Sequence, residues 1–287
     1  MAEATPELKT YHGNCHCGAF KFTLKVPEIT SVMGCNCSIC FRKDYKWVFP
    51  GPGGFTIDKG EGTLKDYEFG PKSMAHQFCP TCGTGVMGKR HGQPAGMDIG
   101  INAQTITDLH IPSLGINIYD GKALEPAYIP HPFKGPEPIA EIENAKIYTG
   151  SCHCGNVTLA LKTKGPLTEG HEFIQGCNCS ICSRNGTILI YPLATQVSIH
   201  ASTPTTPYTF GRALQSHEFC PICGLSIYIR KLSVSPEHFA KWITDGRDQG
   251  EWEKRMPVDL RNFEGVEWDK MKIPVANNKD IEPKYEV

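Results

Sequence analysis

The chain has 287 residues, 40% of them hydrophobic and 21% charged, with a formal net charge of −1. That length accommodates two ordinary domains, and the composition excludes wholesale disorder. The near-neutral charge leaves no basic stripe, so neither nucleic acid nor an anionic membrane is expected as a partner. No apolar run reaches membrane-crossing length, and the opening MAEATPELKT lacks the basic and apolar regions of a secretory leader. The terminal KYEV matches no lipidation or retention signal, and a cytoplasmic location is expected.

In chain order, YHGNCHCG at 11–18 brings the first cysteine pair, Cys15 and Cys17. Phe20, Phe22, Leu24 and Val26 then alternate with Lys21, Thr23 and Lys25, the period of a half-buried strand. GCNCSIC at 34–40 adds Cys35, Cys37 and Cys40, and KWVFP after it reads as a strand ending at proline. HQFCPTCG at 76–83 carries Cys79 and Cys82, and a short helix is expected over 103–110. The stretch 126–146 contains Pro126, Pro130, Pro132, Pro136 and Pro138, an extended connector unable to form a helix.

The same order then recurs. YTGSCHCG at 148–155 carries Cys152 and Cys154, and Val157, Leu159 and Leu161 repeat the alternation. GCNCSIC returns letter for letter at 176–182 with Cys177, Cys179 and Cys182, followed by ILIYP. HEFCPICG at 217–224 brings Cys220 and Cys223, and a helix is expected within 235–256. A repeat of this length describes tandem domains: 8–130, a proline-rich linker over 131–145, and 146–287. Strand signals and glycine or proline punctuation dominate both, so the expected fold is mainly β, small and mostly antiparallel sheets joined by metal-bearing turns.

The repeat uses all fourteen cysteines, seven in each half. Neighbours at such short spacing rarely form disulfides with one another, and thiols grouped this way bind metal. A CPxCG knuckle supplies two thiolates and needs a second pair, for which the CxC of its own half is the natural complement. This yields two closed structural sets: Cys15, Cys17, Cys79 and Cys82, then Cys152, Cys154, Cys220 and Cys223. His16 and His153, between the CxC sulfurs, should point away from the metal.

Each CxCxxC is left with three sulfurs. It can be a three-thiolate zinc site open to water or an incoming thiol, an iron–sulfur cluster with one open iron, or a site closed by a histidine. His76 and His217, three residues before a knuckle cysteine, are the candidates for that closure or for supporting donors. Arg42 and Arg184 lie two residues past each triad. They are placed either to fork onto a carboxylate or a developing oxyanion, or simply on a solvated turn.

The order CHCG, CxCSxC, HxFCPxCG resembles the glutathione-dependent formaldehyde-activating family, in which centromere protein V also falls, as two tandem copies covering nearly the whole chain. The resemblance implies a β-tent fold, a structural zinc on CxC plus CxxC, and a reactive zinc on CxCxxC, hence up to four zinc ions per chain. It also implies an enzyme: a carbon–sulfur lyase of the S-(hydroxymethyl)glutathione synthase type, with glutathione or a glutathione conjugate as substrate. The alternative is a non-catalytic zinc-binding scaffold. That reading is weakened because the basic, proline-rich extension associated with centromere protein V has no counterpart here.

Overall fold

The alternation at 20–26 becomes a strand in which Phe22 and Leu24 are fully buried while Lys25 faces solvent. In this computed structural model, which describes residues 7–124 and 126–287, the chain falls into two compact units that meet in sequence between Tyr128 and Ile129. The first six residues, part of MAEATPELKT, lie outside the described residues.

The first unit runs β1 (Lys9–Asn14), β2 (Lys21–Val26), β3 (Ser31–Cys35), α1 (Ser38–Lys43), β4 (Lys46–Val48) and β5 (Phe55–Lys59). It continues with β6 (Lys65–Tyr67), β7 (Met74–Phe78), β8 (Gly85–Arg90), β9 (Ile99–Asn102) and β10 (Gly115–Tyr119). Strands β1, β2 and β5 form a three-stranded antiparallel sheet, and the others a seven-stranded sheet in the order β10-β3-β4-β9-β8-β7-β6. Every pair in that larger sheet is antiparallel except β10, which lies parallel to β3. A parallel neighbour requires a crossover rather than a hairpin, and the chain makes one through the 3-10 turns Ala103–Thr105 and Ile111–Ser113. The helix expected over 103–110 is reduced to the first of these turns, started where Asn102 accepts a hydrogen bond from the Gln104 N–H.

The second unit repeats the plan with β11 (Ala145–Ser151), β12 (Val157–Lys164), β13 (Ile174–Cys177), α2 (Ser180–Asn185), β14 (Ile188–Ile190) and β15 (Val197–Ala201). After these come β16 (Thr206–Thr209), β17 (Gln215–Phe219), β18 (Ser226–Lys231), α3 (Pro236–Trp242), α4 (Gln249–Glu253), β19 (Val258–Asp259) and β20 (Val275–Ala276). Its sheets again have three and seven strands, with β20 parallel to β13 at the edge. Where one helix was expected within 235–256 there are two, each opened by a side-chain cap: Ser235 accepts from the His238 N–H, Asp248 from the Glu251 N–H. The result is the mainly β, two-domain architecture expected, with four sheets and few helices among the described residues.

Strand β12 departs from simple alternation. Thr158, Ala160 and Thr163 are buried along with Val157, Leu159 and Leu161. The reason lies in the proline-rich stretch before β11, which over 131–144 has no helix or strand but packs along this face. The Lys134 N–H donates to Thr158 Oγ1 (3.2 Å), Lys162 Nζ donates to the Pro138 carbonyl (2.9 Å), and the Ala140 N–H to the Thr195 carbonyl (2.9 Å). With both faces covered, the period-2 pattern of exposure disappears.

The short helices α1 and α2 are each held by one fully buried isoleucine, Ile39 and Ile181, worth about 1.5–3 kcal/mol apiece. That anchor matters because six residues are far too few for a helix to stand alone. Among the described residues no helix is long and apolar enough to cross a membrane.

Candidate metal centres

In each unit the closed set ties the two sheets together. Cys15 and Cys17 follow β1 of the small sheet, and Cys79 and Cys82 lie in the turn between β7 and β8 of the large one. Cys152, Cys154, Cys220 and Cys223 do the same in the second unit. Gly83 and Gly224, which end the knuckles, take left-handed backbone (φ 74° and 67°) that glycine alone adopts without strain.

Sulfur spacings test the fit to a metal. Cys15 to Cys17 and Cys17 to Cys79 are both 3.6 Å, while Cys152 to Cys154 and Cys154 to Cys220 are 3.5 and 3.6 Å. Such distances are far beyond a disulfide bond of about 2.05 Å. They are close to the roughly 3.8 Å separating thiolates that share a tetrahedral zinc at about 2.3 Å. Backbone N–H groups support the sulfurs, with Phe20 donating to Cys15 Sγ (3.3 Å) and Val157 to Cys152 Sγ (3.2 Å). His16 and His153 are buried but belong to none of the potential ligand groups.

The triads are built differently. The first sulfur ends a strand (Cys35 on β3, Cys177 on β13), and the second belongs to the residue just before a helix, Cys37 or Cys179, both at φ −65° and ψ 163°. The third, Cys40 or Cys182, sits in the first helical turn. A strand end, an extended cap residue and a helical turn thus aim three thiols at one point, with all sulfurs of a triad within 4.8 Å of one another. Cys40 and Cys182 are buried, whereas the first two thiols of each triad are partly exposed, so each triad opens on one side. Among the described residues no histidine, aspartate or glutamate joins either triad, and the closed sites have four thiols where these have three.

Charge is shared unevenly within a triad. Hydrogen bonds from the other two thiols draw Cys35 and Cys177 far below the ordinary thiol range. The same sharing, reinforced by burial, pushes Cys40 and Cys182 well above it. Three converging sulfurs with one readily ionised form a donor set suited to a soft or borderline dication.

His76 and His217 lie beside the triads without joining them. His76 is buried and stacked between Tyr45 (5.8 Å) and Phe69 (5.6 Å), and burial, then the Lys43 ammonium, lowers its pKa to about 4. His217 packs on Phe210 (5.4 Å) and is lowered to about 4 by burial and then Lys231. Each ring is close enough to the first triad thiol to feel its charge, Cys35 or Cys177. Neither ring belongs to a group of potential ligands.

Arg42 and Arg184 are not on solvated turns. They are 6% and 7% exposed, and each curls back along its helix, Arg184 Nη1 donating to the Ser180 carbonyl at 2.9 Å. Their guanidinium groups lie over aromatic rings, Arg42 over Tyr128 (5.1 Å) and Arg184 over Tyr285 (4.7 Å).

Those tyrosines belong to a feature that cysteine spacing did not bring out. After its last strand each unit sends a segment back across the triad. Asn36 Nδ2 donates to Asp120 Oδ1 and Asn178 Nδ2 to Asn277 Oδ1, both at 2.8 Å. The signal was in the sequence: DGKALEPAY at 120–128 matches NNKDIEPKY at 277–285, an offset of 157 where the knuckles are offset by 141. The extra residues are those of α3 and α4, which lie between β18 and β19 and have no helical counterpart in the first unit.

The profile of the family described as "Glutathione-dependent formaldehyde-activating enzyme" matches residues 10–116 and 147–247, one copy in each unit. A crystal structure of a Rhodobacter sphaeroides protein is also similar, at 22% identity and a TM-score of 0.33, over 45% of this chain and 99% of that one.

Proposed function

From the premise that this chain belongs to the glutathione-dependent formaldehyde-activating enzyme family, we propose that it is a zinc-dependent carbon–sulfur lyase acting on glutathione or a glutathione conjugate. The observation that carries this reading is the contrast between four-thiol sets and partly exposed three-thiol sets in the same unit. A chain that closes one metal site with four cysteines and leaves its neighbour one short has kept a position for an external ligand.

Zinc in such a triad would supply a fourth position where a substrate thiol loses its proton near neutral pH while its sulfur stays nucleophilic. The protein's own residues do the rest. Cys35, Cys37 and Cys40, with their equivalents Cys177, Cys179 and Cys182, are the holding thiolates. Gly121 has no side chain to fill the space beside Cys35 and Cys37. The neutral rings of His76, buried, and His217, half-buried, supply an uncharged wall. Arg42 and Arg184, stacked on Tyr128 and Tyr285, add positive charge near a site that receives an anionic peptide thiol.

The reaction balances without any other co-reactant. With formaldehyde a carbon–sulfur bond forms, the carbonyl π bond opens, and the thiol proton ends on the new hydroxyl oxygen. In reverse the carbon–sulfur bond breaks and the sulfur leaves as thiol. Exchange NMR on a mixture of glutathione and formaldehyde tests the reading. The protein is expected to speed interconversion of free thiol and hydroxymethyl adduct, and a folded Cys37→Ser, Cys179→Ser double variant is not. Equal rates with both proteins would favour a zinc-binding scaffold instead.

A further inference from the structure

The two triads are each clasped by the segment after the unit's last strand but supported on different sulfurs. In the first unit the Asn36 side chain donates to Asp120 Oδ1 and accepts from the Lys122 N–H, each at 2.8 Å. In the second, Asn178 donates to Asn277 Oδ1 (2.8 Å) and accepts from the Asn278 N–H (2.6 Å). At the offset of 157 Asn278 corresponds to Gly121, so the N–H that closes the second clasp stands one position earlier than that of Lys122 in the first. Gly121 brings only backbone to Cys35, while the Asn278 side chain donates from Nδ2 to Cys177 Sγ at 3.4 Å. The first unit instead places an indole N–H on its deepest sulfur, Trp47 Nε1 donating to Cys40 Sγ at 3.4 Å, where the second has Leu189.

We propose that Asn278 is a positioning residue that lets the second triad keep its metal in the presence of a competing substrate thiol. This deepens the reading above and rests on the triads holding metal. A site that accepts free thiols faces a particular difficulty, because its substrate is also a chelator of the ion it needs. The vulnerable ligands are the partly exposed ones, Cys177 and Cys179, since an outside thiol can replace either and let it drift away; Cys179 is fixed at the helix start, which leaves Cys177. Cys177 is partly exposed and ends a strand only four residues long. An amide N–H on its sulfur spreads the thiolate charge and holds the side chain in the ligating orientation. The donor is itself fixed, because the Asn278 backbone is bonded to Asn178, the residue between Cys177 and Cys179. In the first unit Cys35 has no such side-chain donor at position 121, and the corresponding support has moved to the buried Cys40.

The test is zinc release from the full zinc-loaded protein to a chromophoric chelator, with and without excess glutathione. Asn278→Gly recreates the first unit's residue, and Asn278→Asp keeps the shape while removing the donor. A Cys37→Ser background removes the first triad's zinc, which assigns the release phase to the second triad. Both variants are expected to release that zinc about 10-fold to 100-fold faster, more so with glutathione present, while release from the closed sites stays unchanged. Release from both Asn278 variants at the rate of the Cys37→Ser background, where the wild-type protein binds four zinc ions, would overturn this proposal alone. A wild-type protein that binds only two would overturn it together with the lyase reading.

Discussion

Gly121 stands so close to Cys35 that a Cβ on the glycine would lie 2.5 Å from the cysteine sulfur, and 3.0 Å from the Cβ of Cys37. Neither neighbour has room to retreat if both sulfurs are to face one ion. Gly121→Ala is therefore expected to cost the first triad its metal while leaving the closed site of the same unit intact. Overpacking of this kind costs about 1–3 kcal/mol locally. Elemental analysis should show one zinc fewer, with the circular dichroism spectrum unchanged.

The two kinds of cysteine should separate under mutation. Cys79 and Cys220 are buried and tie one sheet to another, so Cys79→Ser or Cys220→Ser leaves a structural ion with three thiolates inside the fold. Metal binding at such sites is folding energy, and a clear drop in melting temperature or soluble yield is expected. Cys37→Ser or Cys179→Ser removes a partly exposed ligand and should lose one metal with the fold retained. Equal unfolding in both classes would make the triads structural.

His76 yields a prediction about pH. Burial lowers its pKa from the usual value near 6.5 to about 4, so the folded state holds it neutral while the unfolded chain protonates it first. Between those values the unfolded state binds more protons, and stability falls as the pH falls, by about 1.4 kcal/mol per pH unit, flattening below about 4. Chemical denaturation of wild type and His76→Phe between pH 6 and 4.5 should differ in slope by about this amount. Acid-driven metal release affects both proteins alike and drops out of the comparison. Parallel slopes would show that His76 is not held neutral.

Cysteine spacing made the four thiol groupings legible, because tetrahedral thiolate geometry permits few ways to group CxC, CxCxxC and CPxCG. The strand at 20–26 was equally plain, one face buried and the other wet. Helices α1 and α2 were not. Six residues cannot display a helical period, and the residues before them, Cys37 and Cys179, make no side-chain cap because they are metal-ligand candidates. The buried second face of β12 was hidden for a different reason: the residues covering it come from a proline-rich stretch that reads as a connector. Tyr128 and Tyr285 are hard to pair from the sequence because α3 and α4 shift the last repeat out of step with the others. The arginines beneath them are buried stacks, which no local pattern distinguishes from exposed ones.

The second unit is expected to carry most of the thiol-dependent activity. Around the first triad Tyr45 and Trp47 crowd His76, with ring centres 5.8 and 6.1 Å away. The equivalent positions in the second unit are Thr187 and Leu189, and Ser183, Asn185 and Gly186 flank Arg184 where Phe41, Lys43 and Asp44 flank Arg42. Smaller neighbours leave more room for a tripeptide. Single-turnover assays of folded Cys179→Ser and Cys37→Ser proteins should show the larger loss in the first. A larger loss in Cys37→Ser would reverse the assignment.

Cadmium-113 NMR of the cadmium-loaded protein, titrated with glutathione, tests the open triads most directly, because the shift reports how many sulfurs surround each ion. Four resonances are expected, two in the four-thiolate range and two at the lower shift of three-thiolate sites. Glutathione should move only the latter pair toward four-thiolate values, and S-methylglutathione should move neither. Four resonances already alike before any thiol is added, or a triad pair unmoved by glutathione, would contradict a site left open for a substrate sulfur.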